Sequence, residues 1–135
     1  MDVNSTFGPI DIAMSGLRAQ RQNINLISSN VANARTTDSG NGQPYRRLEA
    51  VFETDGSDGI GGVKVQDITE DMSDFEMILK PGDPNADDQG YISMPNVSLP
   101  IEMMNLSIAT RTYQANAAIL KRYQAMVETT LELLR

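Results

Sequence analysis

Apolar positions recur with helical spacing at both ends of the chain and alternate with polar ones in the middle. From Pro9 to Ala34, Ile10, Leu17, Ile24 and Val31 repeat every seven residues, and Ala13, Gln20, Ile27 and Ala34 follow each by three. This is an a/d heptad pattern with one polar d position, Gln20, and it predicts a helix of roughly 40 Å. Pro9 suits the first turn, where its missing N–H costs nothing. Gly16 weakens the helix by up to about 1 kcal/mol relative to alanine. Toward the other end, Leu99, Leu106, Tyr113, Leu120, Val127 and Leu134 repeat every seven residues, and Met103, Ala109, Ala117, Tyr123 and Leu131 widen the stripe. A second helix is expected over 99–134, capped by Asn96 or Ser98, with Pro100 in its first turn. An ideal helix drifts about 20° per heptad against such a repeat, which favours left-handed supercoiling around a partner.

The middle has a different texture. Thr36 to Pro44 is polar and glycine-rich, hence loop. Tyr45 to Glu53 reads as a strand, Asp55 to Gly62 as a turn, and Val63 and Val65 then share one face. Phe75, Met77 and Leu79 alternate likewise, and Pro81 to Gly90 is a loop. The fold class expected is mainly α with a small β region. Long N- and C-terminal helices (1–35 and 96–135) form a coiled-coil layer and carry a short antiparallel hairpin or sheet (36–95) between them. Neither helix buries its stripe alone, and isolated helices are marginal in water. The ends are therefore expected to gain their order on assembly.

Composition narrows the chemistry. The 135 residues include no Cys, His or Trp, and three Phe. Cys/His metal sites, thiol nucleophiles and histidine-based triads are excluded. The core must be aliphatic and methionine-rich, with Met103, Met104 and Met126 assigned to it. The net charge of −7 argues against nucleic acid. Its distribution is uneven: +1 over 1–50, −9 over 51–100 and +1 over 101–135. No run approaches the roughly 18 apolar residues of a membrane span. The first residues lack a basic start and an apolar stretch, so no cleaved secretory signal is expected.

Candidate motifs reduce to structure. Asp83, Asn85 and Asp87 occupy positions one, three and five of a calcium loop. Asp88 then stands at position six in place of Gly, and Met94 at position twelve in place of Glu, so the segment reads as a solvated turn. Gly56, Gly59, Gly61 and Gly62 lead into a strand, which suits a turn rather than a phosphate cradle. Asp67, Glu70, Asp71 and Asp74 lack a substrate-binding aromatic cluster and read as acidic surface. Arg46 and Arg47 are assigned a charge contact or an aromatic stack, within or between chains. Asn23 and Asn30, one heptad apart beside the apolar seam, are assigned hydrogen bonds between tightly packed helices.

Three blocks carry a resemblance. Ser15 to Thr37, with Ser29-Asn30-Val31-Ala32-Asn33 at its centre, resembles the N-terminal signature of the flagellar rod, hook and hook-filament-junction proteins. GQPYRRLEAVFE and PGDPNADDQGYISMPNV are similar to proximal-rod members, as is the ending from Glu102 to Leu134. Arg35, Thr110 and Gln114 depart from the common pattern, and any ion pair made by a Glu at position 114 would be absent. The resemblance implies a structural subunit of a helical tube, exported through the flagellar type III channel to the periplasmic basal body. It implies terminal helices packed as a coiled-coil layer and the middle segment outward. Implied partners are copies of itself, other rod proteins, and membrane-ring and hook-basal proteins, with no cofactor and no membrane insertion. The assembly interface expected comprises Ile10, Leu17, Asn23, Ile24, Ile27, Asn30 and Val31, then Arg46 and Arg47, then Leu99, Met103, Leu106, Tyr113, Leu120, Val127, Leu131 and Leu134. Competing readings are a soluble helical export chaperone or adaptor and an acidic calcium-binding module.

Overall fold

The computed structural model describes residues 8–56 and 61–134. Helix α1 (Pro9–Ala32) is followed by strands β1 (Leu48–Asp55), β2 (Gly62–Glu70), β3 (Glu76–Leu79) and β4 (Tyr91–Met94), and then by helix α2 (Leu99–Leu133). The chain is mainly α with a small β region, as its periodicity predicts.

Helix α1 opens with the Asp11 carboxylate accepting the Gly8 N–H (3.1 Å). It closes two residues earlier than expected. The Asn33 backbone N–H and side-chain Nδ2 both donate to the Ser29 carbonyl, so Ala34 falls in a turn. Helix α2 begins at Ser98 without the expected side-chain cap: the Ser98 hydroxyl makes no cap bond, and Asn96 bonds elsewhere.

The helices pack as an antiparallel pair. Asn30, late in α1, bonds Glu102, early in α2. Midway, a Cβ at Gly16 would lie 2.7 Å from Asn116 Nδ2, so the missing side chain sets the close approach. The buried row on α1 is Ala13, Gly16, Ala19, Ile27 and Asn30. This includes the expected d positions Ala13 and Ile27, but centres on small and polar residues. Residues 124–133 of α2 run beyond Pro9, the first residue of α1, leaving Val127, Leu131 and Leu133 exposed. Met103, Met104 and Met126, assigned to the core from sequence, are each more than half exposed, because they lie off the side of α2 that faces α1. A close approach at Gly16, buried Ala13, Ala19, Ile27 and Ala109, and a polar cluster join the pair.

Between the helices lie two separate antiparallel hairpins, β1–β2 and β3–β4. Strand β1 starts three residues later than the expected Tyr45: the Tyr45 N–H donates to the Thr36 carbonyl and the Arg47 N–H to Asn96 Oδ1. Strand β4 was missed by the sequence reading: only four residues long, it buries Ile92 alone (3% exposed). The turn expected between β1 and β2 falls largely on 57–60, outside the described residues. In the β1–β2 ribbon the register slips at Gln66, with Val51 opposite Asp67 and Phe52 opposite Val65. This bulge returns Ile68 to the face of Val63 and Val65, which strict alternation would deny it. One face of the ribbon is therefore apolar (Leu48, Ala50, Phe52, Val63, Val65, Ile68) and the other carries Glu49, Glu53, Asp55, Lys64 and Asp67. The turn end of the ribbon is fixed to α1 where the Val63 N–H donates to the Ser15 hydroxyl (3.0 Å).

Candidate assembly site

A fully bonded polar cluster ties the four segments together. Asn30 is 1% exposed. Its Oδ1 accepts the Leu48 N–H and its Nδ2 donates to the Leu48 carbonyl, both at 2.9 Å, so its amide pairs with the start of β1 as a neighbouring strand would. Oδ1 also accepts the Tyr45 hydroxyl (2.9 Å), and Nδ2 donates to Glu102 Oε2 (3.1 Å). Glu102 is fully buried, and Arg47 Nε donates to its other oxygen at 2.8 Å. The Arg47 guanidinium also pairs with Glu49 and with Asp71 (3.5 Å). Burial works against its charge, but the hydrogen bonds from Glu102 and Glu49 outweigh that and hold its pKa above the ordinary arginine value. A buried pair of this kind is tolerable because both Glu102 oxygens are hydrogen-bonded; no buried side-chain N or O lacks a partner among the described residues.

Asn96 extends the cluster. It accepts the Arg47 N–H (2.9 Å) and donates to the Asp71 carbonyl (2.8 Å) and the Ser73 hydroxyl (2.9 Å). Arg46 reaches the Asp71 and Ser73 carbonyls (3.0 Å each) and lies 4.2 Å from the centre of the Phe75 ring. The Ser73 amide and hydroxyl, then Arg47, lower the Asp71 pKa below the usual carboxylate range.

The residues expected at the interface divide by place. Asn30 and Ile27 are buried in the chain, while Ile10, Leu17, Asn23, Ile24 and Val31 are half-buried along the edge of α1. Leu106 and Leu120 are half-buried; Leu99, Met103, Tyr113, Val127, Leu131 and Leu134 are exposed. Arg46 and Arg47 make their contacts within the chain. A second exposed apolar row on α2 comprises Ile101, Met104, Ile108, Ile119 and Met126; the sequence reading assigned its two methionines to the core and did not single out the three isoleucines. Glu102 and Asn96 were also missed as polar anchors. The available signal was a lone acid seven residues before Ala109, on the same side of α2. A cleft of about 340 Å³ opens beside the cluster, floored by Gln20, Asn23 and Ile27 and walled by Glu49, Ala50, Ile108 and Thr112.

Carboxylates do not converge elsewhere. Among the described residues no three Asp or Glu side chains gather as metal ligands. In the acidic loop, Asp83 Oδ1 accepts the Asn85 N–H and its other oxygen pairs with Lys80 (2.8 Å), while Asp87 Oδ1 accepts the Gln89 and Tyr91 N–H groups. Lys80 and then Asn85 lower the Asp83 pKa. No described helix is long and apolar enough to cross a membrane.

Two family descriptions match the chain at its two helical ends. Residues 10–38 match "Flagella basal body rod protein", and residues 88–133 match "Flagellar basal body rod FlgEFG protein C-terminal". The class is thereby defined as a flagellar rod protein. Among curated relatives, the flagellar basal-body rod protein FlgC of Escherichia coli O6:H1 is 43% identical over 91% of this chain and 93% of its own length. That of Salmonella typhimurium is 42% identical over 91% and 93%. That of Bacillus subtilis is 35% identical over 96% and 98%. The chain belongs to the FlgC family of flagellar basal-body rod proteins, structural subunits of that rod.

Proposed function

We propose that the chain works in the rod through non-covalent packing of its helices against those of neighbouring subunits, in a tube that transmits motor torque and encloses the export channel. The observation that carries this reading is apolar surface on two sides of α2. The inner stripe continues past α1 as Val127, Leu131 and Leu134, and the second row is more than half exposed from Ile101 to Met126. At about 25 cal/mol per Å² of apolar area, covering these rows supplies cohesion with no reaction required. The three-part organisation, 1–35, 36–95 and 96–135, then separates an inner helical layer from an outward β segment. Partners on this reading are copies of itself and other rod proteins, membrane-ring and hook-basal proteins at the ends, and the type III export apparatus in transit. The working location is the periplasmic part of the basal body.

Ile24→Asp and Leu106→Asp test it. Each puts a charge on a half-buried position of the helical layer. Each is expected to abolish swimming and remove the chain from purified basal bodies while its level in the cell stays normal. Normal swimming with either variant refutes the packing role. A discrete one-to-one complex with a client, in place of a polymer, marks an export adaptor.

A further inference from the structure

We propose that copies of this chain join head to tail through opposite charges, the carboxylate face of the β1–β2 ribbon of one copy lying on the outward side of α2 of the next. The inference rests on the rod reading above and specifies which surfaces meet.

The first surface is the outward ribbon face. Pairing places Val51 opposite Asp67 and Glu53 opposite Lys64, with Glu49 and Asp55 on the same face. Four carboxylates thus share it with the Lys64 ammonium, and Glu49 is already paired with the Arg47 guanidinium. Lys64 ties up Glu53 and Asp55 at 3.7 and 3.6 Å in exposed pairs, while Asp67 meets no cation among the described residues. Glu49 to Asp55 spans about 20 Å of extended strand, and the exposed Val51 sits inside that span.

The second surface is on α2. From Met103 to Val127 the helix contains Arg111, Lys121 and Arg122 and no acid. Arg111 and Arg122 are eleven positions apart, hence on one side of the helix and about 16 Å from each other along it. Both are exposed, and neither forms an ion pair among the described residues. Arg111 lies about 200° round the helix from the buried Ala109, so this side faces away from α1. Met104, Ala115 and Ile119 lie beside the two cations and are exposed. The cation spacing fits within the carboxylate span, and each surface carries apolar side chains between its charges. Because the two surfaces differ, the contact is heterologous and leaves one surface of each kind free for a further copy.

The chain has no cysteine, so Val51→Cys combined with Ala115→Cys supplies its only thiols. Mild oxidation of basal bodies built with this full-length variant is expected to give a ladder of linked copies. In that background R111E with R122E reduces the ladder about tenfold, since two exposed pairs become repulsive, and adding E53R with D67R restores it. The same charge variants without the thiols, scored by the amount of chain in basal bodies, should show the same loss and recovery. Basal bodies that contain the double-cysteine chain at normal amounts yet give no ladder, or a link only to a different protein, overturn the proposal. So does a ladder indifferent to charge reversal. Absence of the unaltered chain from basal bodies is a separate result, which defeats the rod reading itself.

Discussion

At the scale of single residues, Asn30 concentrates the most interactions. A side-chain amide has two donors and two acceptor sites, and here every one is used within 3.1 Å. Asn30→Ala strands the Leu48 N–H and carbonyl and one Glu102 oxygen together, and is expected to destabilise the purified chain by about 3 kcal/mol in urea titration. Asn30→Asp is expected to be worse, since it sets a carboxylate beside the buried Glu102. Asp71 gives a pH dependence. Its pKa is lowered in the folded chain, so its contribution is complete above the unfolded value near pH 4 and fades as pH falls through the lower folded value. Melting followed below about pH 4 should steepen in the natural chain and flatten in Asp71→Asn. The role of Asn30 was half legible: its place beside the seam announced a bond between elements, but its acceptance of a backbone amide 18 residues away depends on where the ribbon returns.

At the scale of elements, both long helices and most of the ribbon could be read from periodicity, while the details that fix their contact could not. The heptad row Ile10, Leu17, Ile24 and Val31 suggested the centre of the α1 face, yet that centre is Gly16 and its neighbours. Small residues admit a second backbone, and hydropathy patterns give them little weight. Gly16→Val is expected to cost about 2 kcal/mol by overpacking against Asn116. Gly16→Ala should cost less, because its gain in helix propensity of up to about 1 kcal/mol offsets the clash. Comparing the two by circular-dichroism melting separates close approach from mere flexibility. The bulge at Gln66 was hidden for a related reason: the three-residue step from Val65 to Ile68 looks like lost alternation until the register is known. Strand β4 was too short for its own pattern to emerge, and all four residues of its partner β3 are exposed.

At the scale of the whole molecule, order is graded. The polar cluster joins α1, both ends of the β segment and the start of α2, whereas the far end of α2 touches little within the chain. Amide hydrogen exchange on the purified protein should therefore show strongest protection around 27–30 and 102–109. Protection should fall steadily along α2 and be least over 124–133. Uniform protection along α2 would contradict this gradient. The same exchange profile tests the expectation that the chain ends gain their order on assembly. Composition could not reveal that gradient, because the same stripe of Leu, Val and Tyr runs through both halves of the helix.

The unequal lengths of the two helices have a mechanical corollary. α1 has 24 residues and α2 has 35, so a wall laid from such units is lapped like brickwork. On the proposed helix packing its end joints do not share one plane, and twisting shears along helix flanks before a seam parts.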